Sequence, residues 1–178
     1  MEERIGEACA GTEPLTVSGK CLHPGEAAPD FDLDYLDLAD MVVRTISLAD
    51  SSGMVRLLSV VNSLQYPLCQ HVTQQWEAYR AILPSDACIS TVSRDSPQMQ
   101  AKFQDTTGVV HQALSAHRSE QFGQDYGVWL KEWHLLQRAV FVIDRTDHIV
   151  YVEYVADQLC EPDYARAMQA VRPSAREG

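Results

Sequence analysis

No two of the five cysteines stand at C-x-x-C spacing, and no apolar run is long enough to cross a membrane. Cys9, Cys21, Cys69, Cys88 and Cys160 are odd in number and scattered, which fits neither a disulfide framework nor a structural zinc site. The six histidines lack the helical or finger-type spacing that gathers ligands, so no metal and no cofactor is expected. A membrane span needs roughly 20 apolar residues. The opening Met1-Glu2-Glu3-Arg4-Ile5-Gly6-Glu7 has no apolar signal core, so a cytoplasmic protein is expected. Positive charge is scarce: 14 Lys and Arg face 25 Asp and Glu, a net charge of -11. Such a surface disfavours nucleic acid and anionic membrane as partners. Internal repeats and low-complexity tracts are also missing.

The chain has 178 residues, 46% of them apolar, enough for one domain with a substantial core. Residues 1–13 are polar and read as a flexible N-terminal segment, 14–172 as a single domain, and 173–178 as a tail. Residues 15–22 read as a short hairpin turning near Gly19, residues 31–36 as a half-exposed strand, and 42–48 as another. The apolar run 55–61 predicts a buried strand, followed by a helix in which Val72, Trp76, Tyr79, Ile82 and Leu83 recur at helical spacing. Residues 88–92 predict a strand, Asp95-Ser96-Pro97 a helix start, and 109–114 a further strand. Residues 122–133 look irregular or partly helical. Two strong strands, 139–143 and 149–155, are joined by a hairpin-length connection, and 161–171 predicts an amphipathic helix. Strand, helix, strand and helix, then a hairpin and a last helix, is the thioredoxin-like order of elements. It implies a central mixed sheet flanked by helices.

Cys69 falls where the strand 55–61 hands over to its helix. A thiol there meets unpaired backbone N–H groups and the positive end of the helix dipole, both of which favour the reactive thiolate. Free cysteine is commonly a buried, inert residue, so position tips the reading toward reactivity without deciding it.

Several segments carry a resemblance. They include Ala28-Pro29-Asp30-Phe31, Ser93-Arg94-Asp95-Ser96-Pro97 and Phe122-Gly123-Gln124-Asp125-Tyr126-Gly127-Val128. Further matches are Lys131-Glu132-Trp133, Arg138-Ala139-Val140-Phe141-Val142-Ile143-Asp144, Val150-Tyr151-Val152-Glu153-Tyr154-Val155 and Glu161-Pro162-Asp163-Tyr164. From about residue 15 to 171 the chain resembles the bacterial thiol peroxidases, atypical two-cysteine peroxiredoxins. That resemblance implies a peroxiredoxin form of the thioredoxin-like fold, with an N-terminal β-hairpin. It makes Cys69 the counterpart of the peroxidatic cysteine, which attacks a hydroperoxide and becomes a sulfenic acid. It makes Arg138 the active-site arginine, whose permanent charge favours the thiolate and whose N–H groups reach the peroxide oxygens. Thioredoxin or another external thiol is the implied reductant and a homodimer the implied assembly. Trp129 and Trp133 are candidate interface rings, or alternatively core residues.

The loop departs from the family pattern Pro-x-x-x-Thr-x-x-Cys. Asn62 stands in place of the proline, and Tyr66 in place of the threonine whose short hydroxyl lies beside the sulfur. A phenol places its O–H several ångströms farther out, so Tyr66 either fills the peroxide pocket or points away, and the site is expected to be weaker than one retaining threonine. The family's resolving cysteine corresponds to Gln104, which leaves Cys160, Cys21 or an external thiol to resolve a Cys69 sulfenate. The leading expectation is a thiol-dependent peroxidase acting on hydroperoxides. The alternatives are a repurposed enzyme using the Cys69 thiolate on another small electrophile, for example in a biosynthetic pathway, and a non-catalytic redox sensor or binding module.

Overall fold

The computed structural model describes residues 1–176. The chain enters through an antiparallel hairpin, β1 (Glu3–Ala10) and β2 (Glu13–Ser18), then forms a second, β3 (Leu33–Asp37) and β4 (Val42–Ile46). An alternating segment follows: β5 (Val55–Val60), α1 (Pro67–Arg80), β6 (Ala87–Ser93), α2 (Pro97–Thr107) and β7 (Gln112–Ser115). After a short α3 (Gln121–Asp125) come two two-residue strands, β8 (Trp129–Leu130) and β9 (Leu135–Leu136). The chain closes with the hairpin β10 (Ala139–Ile143) and β11 (Ile149–Tyr154) and helix α4 (Tyr164–Arg176).

Seven strands form one mixed sheet in the order β11-β10-β5-β6-β7-β3-β4. β5, β6 and β7 are parallel, while β10 runs antiparallel to both β5 and β11. β5 is buried at all six positions, which is why its sequence is nearly continuous in apolar residues instead of alternating. Its two faces feed separate cores. Val55 and Leu57 pack with Val72 and Trp76 of α1 and with Ala167, Met168 and Val171 of α4. Leu58 and Val60 meet Phe122, Tyr126, Trp129 and Phe141 on the opposite face. The thioredoxin-like architecture expected from the element order is thus the one observed.

Both chain ends and the N-terminal turn depart from expectation. Residues 1–13 are not a loose segment, since Glu3–Ala10 pairs with β2. Arg4 fixes that strand from within: it is buried, its guanidinium donates to the carbonyls of Gly19 and Gly127, and it lies over the Tyr154 ring. The N-terminal hairpin turns at Gly11 and not near Gly19, which instead ends β2. Gly19 is glycine for a packing reason: its φ is +104°, and a Cβ there would sit 2.3 Å from the Gln124 carbonyl oxygen. At the other end, the helix continues beyond the expected start of a tail at residue 173 as far as Arg176, and residues 177–178 lie outside the described residues. Among the described residues no helix is long and apolar enough to cross a membrane.

Candidate active site

The first turn of α1 is built on Tyr66 at the N-cap, with an extended backbone (φ -91°, ψ 134°), and Pro67 just inside. Proline is preorganised for that place, because its missing N–H is one that a helix start leaves unpaired in any case. Cys69 follows on the inward face with Val72 and Trp76, and it is fully buried (0% exposed). The loop before the helix is stitched down by Asp95. One of its carboxylate oxygens accepts from Ser63 Oγ (2.7 Å), and the other from the Leu64 amide and Ser93 Oγ (both 2.7 Å). These bonds tie the Cys69 loop to the turn between β6 and α2.

Arg138 enters just ahead of β10, opposite that turn. Its Nη2 donates to Cys69 Sγ (3.2 Å) and to Asn62 Oδ1 (3.3 Å), and its Nη1 donates to the carbonyls of Gln158 (2.5 Å) and Cys160 (3.0 Å). The residue is 1% exposed and its Nε is buried without a partner. Among the described residues none of these partners is a carboxylate. Arg138 is therefore not a surface ion-pairing residue. A buried cation needs compensation, and of the groups hydrogen-bonded to Arg138 among the described residues only the Cys69 sulfur can carry a full negative charge.

Asn62 and Gln158 complete the cage. Asn62 is 2% exposed; its Nδ2 donates to the Leu136 carbonyl (2.7 Å) and to Gln158 Oε1 (3.0 Å), while its Oδ1 lies 3.8 Å from the sulfur. Gln158 Oε1 also accepts the Arg138 backbone N–H at 2.8 Å. Replacing a proline by Asn62 thus puts a polar hub beside the sulfur, and nothing in the sequence around Gln158 signals that it belongs there.

The sequence-predicted residues are brought together unevenly. Cys69 and Arg138 touch. Tyr66 is 46% exposed and turned outward, along a cleft of about 310 Å³ lined with Ser63, Gln65, Arg94, Ser96 and Met99. Of the two outcomes expected for its ring, pointing away is the one observed. Gln104, at the family's resolving position, has a packing role, its Nε2 donating to the His111 carbonyl (2.9 Å). All five cysteines are free. Burial raises the thiols of Cys21 and Cys88 above the ordinary cysteine value, in each case against the lowering influence of a nearby arginine. Cys160 is exposed. Trp129 is buried in the monomer core against Arg94, whereas Trp133 is half-buried with its Nε1 3.4 Å from Glu13. Among the described residues no cluster of three His, Cys, Asp or Glu could hold a metal ion.

A sulfur held against a guanidinium at a helix start in a thioredoxin-like sheet defines a peroxiredoxin-type thiol site. Residues 24–152 match the AhpC/TSA family, and the chain belongs to it. It is 38% identical over 160 residues to the thiol peroxidase of Halalkalibacterium halodurans, an alignment covering 89% of this chain and 93% of that one. It is 34% identical to the thiol peroxidase of Bacillus subtilis, over 89% and 92% of the two chains. In fold it is similar to a peroxiredoxin-like protein from Aquifex aeolicus (TM-score 0.83, 24% identity, 96% and 98% covered). The thiol peroxidase from Chromobacterium violaceum is also similar in fold (TM-score 0.81, 20% identity, 97% and 98% covered).

Proposed function

We propose that this protein is a thiol-dependent peroxidase that reduces hydroperoxides through a Cys69 sulfenic acid. The observation that carries the reading is the buried Arg138 guanidinium, 3.2 Å from Cys69 Sγ and, among the described residues, hydrogen-bonded to no carboxylate. A cation so placed favours the thiolate before reaction and the negative charge that moves onto oxygen as the O–O bond breaks. The thiolate attacks one peroxide oxygen, an S–O bond forms, and the other oxygen leaves with a proton as alcohol or water. Because the sulfur is fully covered, the first turn of α1 must open for a peroxide to reach it. Tyr66 lies at the rim of that opening and does not supply the hydroxyl that threonine would.

The chain is assigned to the cytoplasm, where free thiols persist, with thioredoxin or another external thiol as reductant. Homodimer formation is part of the proposal. Tyr66 and Met99, both large and exposed on one cleft beside the Cys69 loop, support pairing through that face more than the buried Trp129 does.

The deciding measurement is intact mass after one equivalent of hydroperoxide, with and without a sulfenic-acid trap. Oxidation confined to Cys69, and lost in Cys69→Ser, is expected. An unreacted Cys69 that remains open to alkylation would sink the proposal.

A further inference from the structure

Two independent contacts bring the turn before α4 onto the first turn of α1. One is the Arg138 fork, which holds Cys69 Sγ with one η nitrogen and the Cys160 carbonyl with the other. The second is an ion pair across the same boundary, His71 Nε2 to Glu161 Oε1 at 3.0 Å. His71 is two residues past Cys69, and Glu161 is one past Cys160. The two cysteines are therefore neighbours in space although they are far apart in sequence.

We propose that Cys160 is the resolving cysteine, so that the catalytic cycle passes through an intramolecular Cys69–Cys160 disulfide. The inference rests on the peroxidase reading above. Once Cys69 is a sulfenic acid, the Cys160 thiolate attacks its sulfur; an S–S bond forms, the S–O bond breaks, and hydroxide leaves as water with the proton Cys160 gave up. The two thiols together supply the two electrons that reduced the hydroperoxide, and an external thiol returns them. A disulfide needs Cα atoms within about 4.4–6.8 Å; with Cys69 fully buried and Cys160 exposed, the first turn of α1 must loosen for the two sulfurs to meet. That is the same opening a peroxide requires, and oxidation itself weakens the hold by removing the thiolate that faced Arg138.

Cys160 is equipped for this and its competitors are not. It is exposed and lies in a turn, its amide donating to the Asp157 carbonyl (3.0 Å), outside any strand or helix. Cys88 lies within β6 with its thiol raised by burial, and Cys21 sits beside Glu7 with its thiol raised as well. Cys9 comes near the same turn, since the Gln158 amide donates to its carbonyl at 2.8 Å, but it is fixed in β1.

The test is one equivalent of cumene hydroperoxide on the full chain, quenched with a maleimide and followed by non-reducing peptide mapping. The wild type is expected to lose about 2 Da and two free thiols and to yield a linked Cys69–Cys160 peptide. Cys160→Ser should lose that link and accumulate trappable Cys69 sulfenic acid, whereas Cys9→Ser and Cys21→Ser should behave as wild type. A link from Cys69 to Cys9 or Cys21, a link between chains, or a wild-type sulfenic acid as long-lived as that of Cys160→Ser overturns the assignment and leaves the peroxidase reading standing. Absence of any Cys69 oxidation overturns both.

Discussion

Replacing Arg138 by methionine removes a cation that contributes both charge and shape. At the 3.2 Å separation of Nη2 and Sγ, two unit charges attract by about 5 kcal/mol with an effective dielectric constant near 20. The thiolate keeps part of that attraction as its charge spreads toward the leaving oxygen. If about half is felt in the transition state, the variant loses 2–3 kcal/mol, or roughly 30- to 160-fold in the rate of Cys69 oxidation. Arg138→Lys should fall between the two. The guanidinium serves four partners from two separated nitrogens, Cys69, Asn62, Gln158 and Cys160, whereas an ammonium has three N–H donors on a single nitrogen. The assay is the second-order rate of Cys69 oxidation by an alkyl hydroperoxide, with circular dichroism and Tm as controls for folding. A folded Arg138→Met variant within about threefold of wild type would refute the electrostatic argument, since a loss that small is well under 1 kcal/mol.

Tyr66→Thr should add a hydrogen-bonding cap to α1, which now has none, and stabilise the protein by about 1 kcal/mol, read as a rise in Tm. The same hydroxyl lies next to the first turn, so peroxide reduction should speed up, most clearly together with Asn62→Pro. A wild-type enzyme already fast and unimproved by either change would show that the loop is not impaired. Stability should fall with acid in two stages. Burial holds His111 below its usual 6.5, the bond to Glu77 only partly offsetting it. The fold therefore favours neutral His111, and stability declines once pH drops beneath 6.5. Burial opposes ionisation of Glu77, but bonds from Arg80 and His111 outweigh it and bring its carboxyl from 4.5 to about 2, so a second decline spans that interval. The Tm advantage of wild type over Glu77→Gln should shrink as pH falls from 4.5 toward 2, and an advantage independent of pH would disprove the assignment.

The legible parts of the fold were those whose burial is dictated locally. β5 and β10 are covered on both faces, so their sequences show it directly, and the inward spacing of Val72 and Trp76 announces α1. β1 was illegible for the opposite reason. Its Ile5 is exposed and its fixed points are a buried arginine and backbone bonds from Cys9 to the distant Ala156 and Gln158, none of which leaves an apolar pattern. In the site, Cys69 drew attention by its place where a buried strand hands over to a helix, and Arg138 by the family resemblance of the segment it opens. Gln158 and Asp95 could not, because what they do depends on chain segments that meet only after folding.

Asn62 shows why reading a departure as a loss is incomplete. From the sequence it is a missing proline. In the fold it is a buried hub whose amide holds the Leu136 carbonyl and the Gln158 side chain while its oxygen shares Arg138 Nη2 with Cys69. An amide so placed makes two contacts that bear on the site. Its oxygen lies 3.8 Å from the sulfur and shares the Arg138 Nη2 donor with it. Its Nδ2, through Gln158, helps hold the turn that carries Cys160 close to Arg138, because Gln158 and Cys160 flank the guanidinium together. On the proposed cycle, Asn62 therefore helps keep Cys160, the proposed resolving thiol, within reach of Cys69. The Arg138 fork and this amide together give a chain with Gln104 at the family's resolving position a second cysteine near Cys69.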